Sequence, residues 1–124
     1  MLKTIKQKII LGTSPHEVYE ILMDSKKHTQ ITGAKAKINR EVGGKFTAYD
    51  GYCEGTNLKL IPDKKIVQEW RANDWPSGHY SLVTYNLAKN KNGTELSFTQ
   101  RGVPSEQYKE IKDGWREFYW DRMK

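Results

Sequence analysis

Cysteine occurs once in this chain, at Cys53, so no internal disulfide forms and no metal site can be assembled from several thiolates. Histidine is nearly as scarce, with His16, His28 and His79. None of them stands in a Cys/His or Gly-x-Ser-x-Gly arrangement that would prepare a nucleophile. Paired His or carboxylate ligands at metal-binding spacing are missing as well. Glu17 and Glu20 share the i, i+3 spacing of a helix face, but their neighbours read as surface. "EVGGKF" holds a Gly-Gly pair and a lysine without the spacing of a phosphate loop, and it precedes a strand rather than a helix. The expectation is therefore no metal and no cofactor. Long apolar runs are absent: nothing approaches the ~20 residues that cross a membrane. The opening "MLKTIKQKIILGTS" alternates charged and apolar residues, unlike a secretory signal. A cytoplasmic location without membrane contact is expected.

Aromatic residues and charge are what the chain has in quantity. Four Trp, seven Tyr and three Phe occur in 124 residues, enough large side chains to build a core and argue against disorder. The length fits one domain over residues 1–124. Lys and Arg number 21 against 15 Asp and Glu, a formal charge of +6. The clearest bias runs from Lys26 to Lys45, where Lys26, Lys27, Lys35, Lys37, Arg40 and Lys45 face only Glu41. Such a stretch is either a solvated surface or a patch for an acidic partner. Nucleic-acid binding is not expected, because the aromatics are spread along the chain instead of interleaved with Lys and Arg.

The order of elements follows from periodicity. "TIKQKIIL" alternates as a strand. In "TSPHEVYEIL", Ser14 is a helix N-cap, Pro15 the first helical residue, and Glu17 the third position of a capping box. "MDSKKHTQITG" suits a second short helix ended by Gly33. From residue 36 onward strands and turns take over: "KFTAYD" with Gly51, "TNLKLI", "IVQEWRA", "HYSLVTYNLAKN" and "ELSFTQRGV". In the last of these Leu96, Phe98 and Gln100 share one face. Pro104 and Ser105 open a terminal helix, in which Tyr108, Ile111, Trp115, Phe118 and Tyr119 form one stripe and Trp120 lies off it. Gly114 costs that helix about 1 kcal/mol against Ala, which suggests something bulky crossing it. One antiparallel sheet with a single long helix to cover it is an α+β sandwich.

Several stretches resemble a known family: "GGKFTAYDG" at 43–51, "LIPDKKIVQEWRANDWPSGHYS" at 60–81, "GTELSFTQRGVP" at 93–104 and "GWREFYW" at 114–120. They are similar to the activator of heat-shock-protein-90 ATPase homologue-like family of the START-like (SRPBCC, helix-grip) superfamily. The resemblance implies a helix-grip fold: a curved antiparallel sheet of about six to seven strands wrapped around a long C-terminal helix, with two short helices after the first strand. It also implies a domain like the C-terminal half of the two-domain co-chaperones, here read as a stand-alone member. Other members of the superfamily carry small hydrophobic ligands, sense hormones or lipids, or act as cyclases or dehydratases.

The residues that crowd "EWRANDWPSGHYS" are read as the rim of a cavity. Trp70 and Tyr80 line it, with Phe46, Phe98, Trp115 and Tyr119 as the other lining residues. Trp75, Pro76 and His79 stand at the mouth, Trp75 as an exposed tip or partner contact. The alternative is that Trp70 and Tyr80 belong to the core and Trp75 packs on its own turn. Strand alternation argues against His79 and Tyr80 acting together, since adjacent side chains point to opposite faces, and no catalytic residue is assigned. The primary expectation is a small hydrophobic ligand between sheet and helix, bound by a monomer or weak homodimer. The alternative is a module that binds a chaperone and modulates its ATPase. An enzyme comes third.

Overall fold

The computed structural model describes residues 1–124. Strand β1 (Leu2–Leu11) is followed by helices α1 (Pro15–Met23) and α2 (Ser25–Thr32). Then come β2 (Lys37–Ile38), β3 (Lys45–Ala48), β4 (Cys53–Ile61), β5 (Lys65–Ala72), β6 (Ser81–Asn90) and β7 (Gly93–Pro104). All pairings are antiparallel, in the order β1-β7-β6-β5-β4-β3-β2, so β1 and β2 are the two edges. A C-terminal helix packs across the curved sheet, and this is the expected helix-grip arrangement. No helix is long and apolar enough to cross a membrane.

The local signals act as their chemistry dictates. Ser14 Oγ accepts the Glu17 N–H at 3.2 Å, and Pro15 opens α1. Asp24 both ends α1 and caps α2, accepting the Lys27 N–H at 2.9 Å. Gly33, at φ 75°, closes α2 in the left-handed region. Alternation along β7 buries Leu96, Phe98 and Gln100 while Ser97 and Thr99 stay half-exposed.

The C-terminal helix departs from a uniform α-helix. Helix α3 (Tyr108–Trp115) passes into a π-turn over Arg116–Trp120 before a last turn, Asp121–Met123. At 100° per residue a straight helix would put Phe118 inward beside Tyr119 and turn Trp120 away. The π-turn's wider i→i+5 geometry rotates this register. Phe118 becomes 41 % exposed, whereas Trp120 is 2 % exposed and stacks on Trp115, five residues earlier, at 5.6 Å with a 16° interplanar angle. Gly114 has no bulky crossing neighbour: a Cβ built there would meet only the Phe118 ring, at 3.8 Å.

The core is an aromatic stack between helix and sheet. Trp115 lies 4.5 Å from Phe98, 5.6 Å from Trp70 and 6.2 Å from Tyr85, measured between ring centroids. Its indole N–H begins a buried polar chain, donating to Gln100 Oε1 at 2.7 Å. Gln100 Nε2 donates to Ser81 Oγ at 3.0 Å, and Ser81 donates to the Trp70 carbonyl at 2.8 Å. Helix, β7, β6 and β5 are thereby joined by groups that would otherwise be buried unpaired.

Candidate functional site

Because the aromatic stack fills the middle of the sandwich, the free volume lies at its flanks. An open groove of about 370 Å³ runs between the Tyr49–Cys53 segment, β5 and the C-terminal helix. Tyr49, Tyr52 and Cys53 form one wall, Trp70 contributes from the sheet, and Ile111, Gly114, Trp115, Phe118 and Tyr119 form the helical wall. Glu110 stands at the edge as the one formally charged lining residue.

Both walls depend on irregular backbone. Tyr49 and Asp50 adopt φ of 50° and 57°, left-handed values that cost a bulky residue energy. The turn is held by Asp50 Oδ1, which accepts the Lys35 N–H at 2.9 Å, and by the Tyr49 hydroxyl, which donates to the Phe118 carbonyl across the groove. The carbonyl it reaches belongs to the π-turn, and the Tyr49 ring meets the Phe118 and Tyr119 rings edge-on, each at 5.6 Å. Strained turn and π-turn thus converge on one place.

The phenol and thiol groups around the groove are held neutral. Burial pushes the Tyr49 and Tyr52 hydroxyls up to about 12, and the Cys53 thiol likewise to about 12. Burial raises Tyr119 far above the ordinary phenol value. Its hydroxyl meets His28 Nε2 at 2.9 Å, so the partner that a buried tyrosine needs is a histidine on α2. Burial pushes His28 below its usual range; its Nδ1 has no hydrogen-bond partner, although the Ile21 and Leu22 carbonyls lie close enough to oppose the shift. Groups tuned this way suit apolar contact better than proton transfer near neutral pH. No cluster of three or more His, Cys, Asp or Glu is placed to hold a metal ion.

The structure gathers some of the expected lining residues and scatters others. Trp70, Trp115 and Tyr119 line the groove. Phe98 is 1 % exposed behind Trp115, and Phe46 is 6 % exposed, its ring covering Gly55; neither reaches the groove. Tyr80 is 42 % exposed, contrary to the inward orientation expected of it. The ladder starts only at Ser81, which takes the inward position, and the Tyr80 ring lies 6.0 Å from the Arg71 guanidinium. Trp75 is the converse correction: it is 4 % exposed, not an exposed tip. Arg71 Nη2 donates to its carbonyl at 2.7 Å and folds the turn back, so that the indole packs edge-on against Trp70 at 5.4 Å. Its Nε1 donates to Gln107 Oε1 at 3.2 Å. Pro76 remains exposed. His79 is half-buried, with Nε2 2.7 Å from the Gly102 carbonyl. A carbonyl only accepts, so Nε2 carries the proton and the histidine ties the turn to β7.

Tyr49, Tyr52 and His28 join the site without having been expected there. The signal for the first two is "YDGY", two tyrosines bracketing a turn; nothing local marks His28, whose partner lies 91 residues away. The basic stretch is only partly free. Lys27 pairs with Glu17 at 2.9 Å and Arg40 with Glu20 and Asp24, while Lys26, Lys35, Lys37 and Lys45 are exposed.

Comparison with known proteins gives a consistent picture. Residues 12–124 match the family described as Activator of Hsp90 ATPase homolog 1-like protein. The chain is 32 % identical over 121 residues to the human Activator of 90 kDa heat shock protein ATPase homolog 1, covering 98 % of this chain and 35 % of the relative. It is 33 % identical over 123 residues to the Dictyostelium discoideum homolog, covering 98 % of this chain and 32 % of that one. The chain thus spans about a third of the length of the curated relatives it matches. The crystal structure of an HSP90 activator from Plasmodium falciparum superposes with a TM-score of 0.84 at 25 % identity, over 98 % of this chain and 91 % of that one. The solution structure of an Aha1 dimer from Colwellia psychrerythraea shares the fold, with a TM-score of 0.82 at 18 % identity over 98 % and 93 % of the two chains.

Proposed function

The chain belongs to the Activator of Hsp90 ATPase homolog 1-like family, and on that premise we propose that it is a co-chaperone-type module that docks on an Hsp90-type chaperone and modulates its ATPase. The observation that carries this reading is the similarity along 98 % of the chain to proteins named as activators of that ATPase. The filled interior supports it. A carrier of the kind first expected needs an enclosed cavity between sheet and helix, and Trp115, Phe98, Tyr85 and Trp70 occupy that space. The test is a titration of the purified chain with the Hsp90-type chaperone of the same cell, at low salt. The reading predicts a saturable complex. No complex with or without nucleotide overturns it.

The side groove favours a second reading, a small hydrophobic ligand. Its volume of about 370 Å³ lies at the low end of known ligand sites, ~300–1,000 Å³, and its walls are chiefly apolar. A ligand would gain about 25 cal/mol per Å² of apolar surface buried, before association costs. Native mass spectrometry after soaking with fatty acids and flat aromatic compounds distinguishes the readings. A stoichiometric adduct lost on denaturation supports a ligand, and an unchanged mass removes this second reading.

A further inference from the structure

The other side of the C-terminal helix has a groove of opposite character. It lies between the edge strand β1 and the helix, has a volume of about 570 Å³, and carries Lys6, Lys8, Lys112, Arg116 and Lys124 with no carboxylate in its lining. Gln7 builds the floor: its Nε2 donates to the Lys112 carbonyl at 3.1 Å, and its Oε1 accepts the Trp120 indole N–H at 2.6 Å. Strand and helix are thereby held at a fixed separation, with cations on both banks. Lys8 is neutralised in part by Glu95 at 3.1 Å, and Lys124 by Asp121 at 3.9 Å. Lys6, Lys112 and Arg116 have no carboxylate partner within salt-bridge distance. No strand lies beyond β1 in the sheet, so the outward N–H and C=O groups of that strand lack a ladder partner.

We propose that this groove receives an extended acidic segment of a partner protein, laid along β1. The open edge offers main-chain hydrogen bonds to an extended chain, in which every second side chain points the same way. The unpaired cations select carboxylates at those positions, and the chain's net charge of +6 steers an acidic partner toward it. Lysines on an edge strand are also an ordinary guard against edge-to-edge pairing. That role needs no cations on the facing helix, yet Lys112 and Arg116 stand there one turn apart. A nucleic acid fits less well, because the one aromatic of the groove, Trp120, is 2 % exposed and its N–H is already bonded to Gln7. The inference concerns a different surface from the apolar groove and holds whichever protein supplies the segment.

The test uses the full chain and a short fluorescein-labelled peptide alternating Glu and Val, followed by anisotropy at low salt. A peptide of the same composition with its Glu residues in one block is the sequence control. Saturable binding of the alternating peptide is expected, with the block peptide several-fold weaker. Lys6→Glu with Arg116→Glu should weaken binding about tenfold, the effect of turning two exposed ion pairs into repulsions. Lys26→Glu with Lys37→Glu makes the same change of net charge elsewhere on the surface, and should stay within about twofold. Where reversal impairs folding, judged by the thermal melt, Lys6→Gln with Lys112→Gln should weaken binding in the same direction. Absence of binding, equal binding of the block peptide, equal loss in the Lys26/Lys37 variant, or tighter binding of oligothymidylate each overturns the proposal.

Discussion

Gln100→Leu is the sharpest test of how the helix is fastened to the sheet. Gln100 is fully buried, accepts the Trp115 indole N–H at 2.7 Å and donates to Ser81 Oγ at 3.0 Å. Leucine keeps roughly the same bulk but leaves the Trp115 N–H with no acceptor in an aromatic surround, at a cost of ~1–3 kcal/mol. The lost bond to Ser81 adds ~0.5–1.5 kcal/mol. The sum, about 1.5–4.5 kcal/mol, should lower the urea midpoint by about 1–2 M at an m-value of ~2 kcal/mol per M. Trp115→Phe removes the other partner, orphaning Gln100 Oε1 and losing some ring contact. In the double variant both orphaned groups are gone, so its cost should fall short of the sum of the singles by about 1–2 kcal/mol. Urea unfolding of all four proteins, followed by far-ultraviolet circular dichroism, gives the numbers. Strict additivity, or a Gln100→Leu midpoint within about 0.3 M of the parent, would refute the reasoning.

Other expectations are as direct. Trp75→Ala should cost about 3–5 kcal/mol as a core truncation, whereas Tyr80→Ala should stay within about 0.5 kcal/mol; thermal melts that reverse this order contradict the burial of Trp75 and exposure of Tyr80. Gly114→Ala should stabilise the chain by up to ~1 kcal/mol, since its new methyl meets only Phe118 at 3.8 Å, and a lowered melting temperature would count against the open groove. Burial lowers His28 below its ordinary value of 6.5, so the unfolded chain takes up a proton that the folded chain resists. Stability should therefore be complete above about pH 6.5 and fall as pH drops toward the lower folded value. A His28→Gln variant should lose that part of the slope in denaturation curves taken across the range, and an unchanged slope would exclude His28 as the cause.

How much was legible in the sequence depended on how local the cause is. Ser14, Pro15 and Glu17 announce α1 because capping is settled within one turn, and the inward set Leu96, Phe98 and Gln100 follows from the period of two in β7. Six of the seven strands, two short helices and a helix crossing the sheet were readable because each carries its own periodicity, whereas the two-residue β2 is too short to show one. Trp75 was misread because its burial is decided by Arg71 folding the turn back and by Gln107, 32 residues away. Tyr80 was misread through parity: Ser81, Val83, Tyr85 and Leu87 take the inward face of β6, which leaves the residue before Ser81 facing out. The π-turn has no local signature, and without it neither the inward Trp120 nor the outward Phe118 follows. The apolar groove was only half visible: the tryptophans and Tyr119 were in view, but the opposite wall depends on Tyr49 and Asp50 in left-handed conformations that propensity does not favour.

The most direct test of the central claim is the steady-state ATPase rate of an Hsp90-type chaperone titrated with this chain at low salt, with a specific inhibitor of the chaperone to subtract background. The account predicts a saturable change in rate at chain concentrations that also yield a complex. A rate that stays flat while the chain is folded and in excess contradicts it.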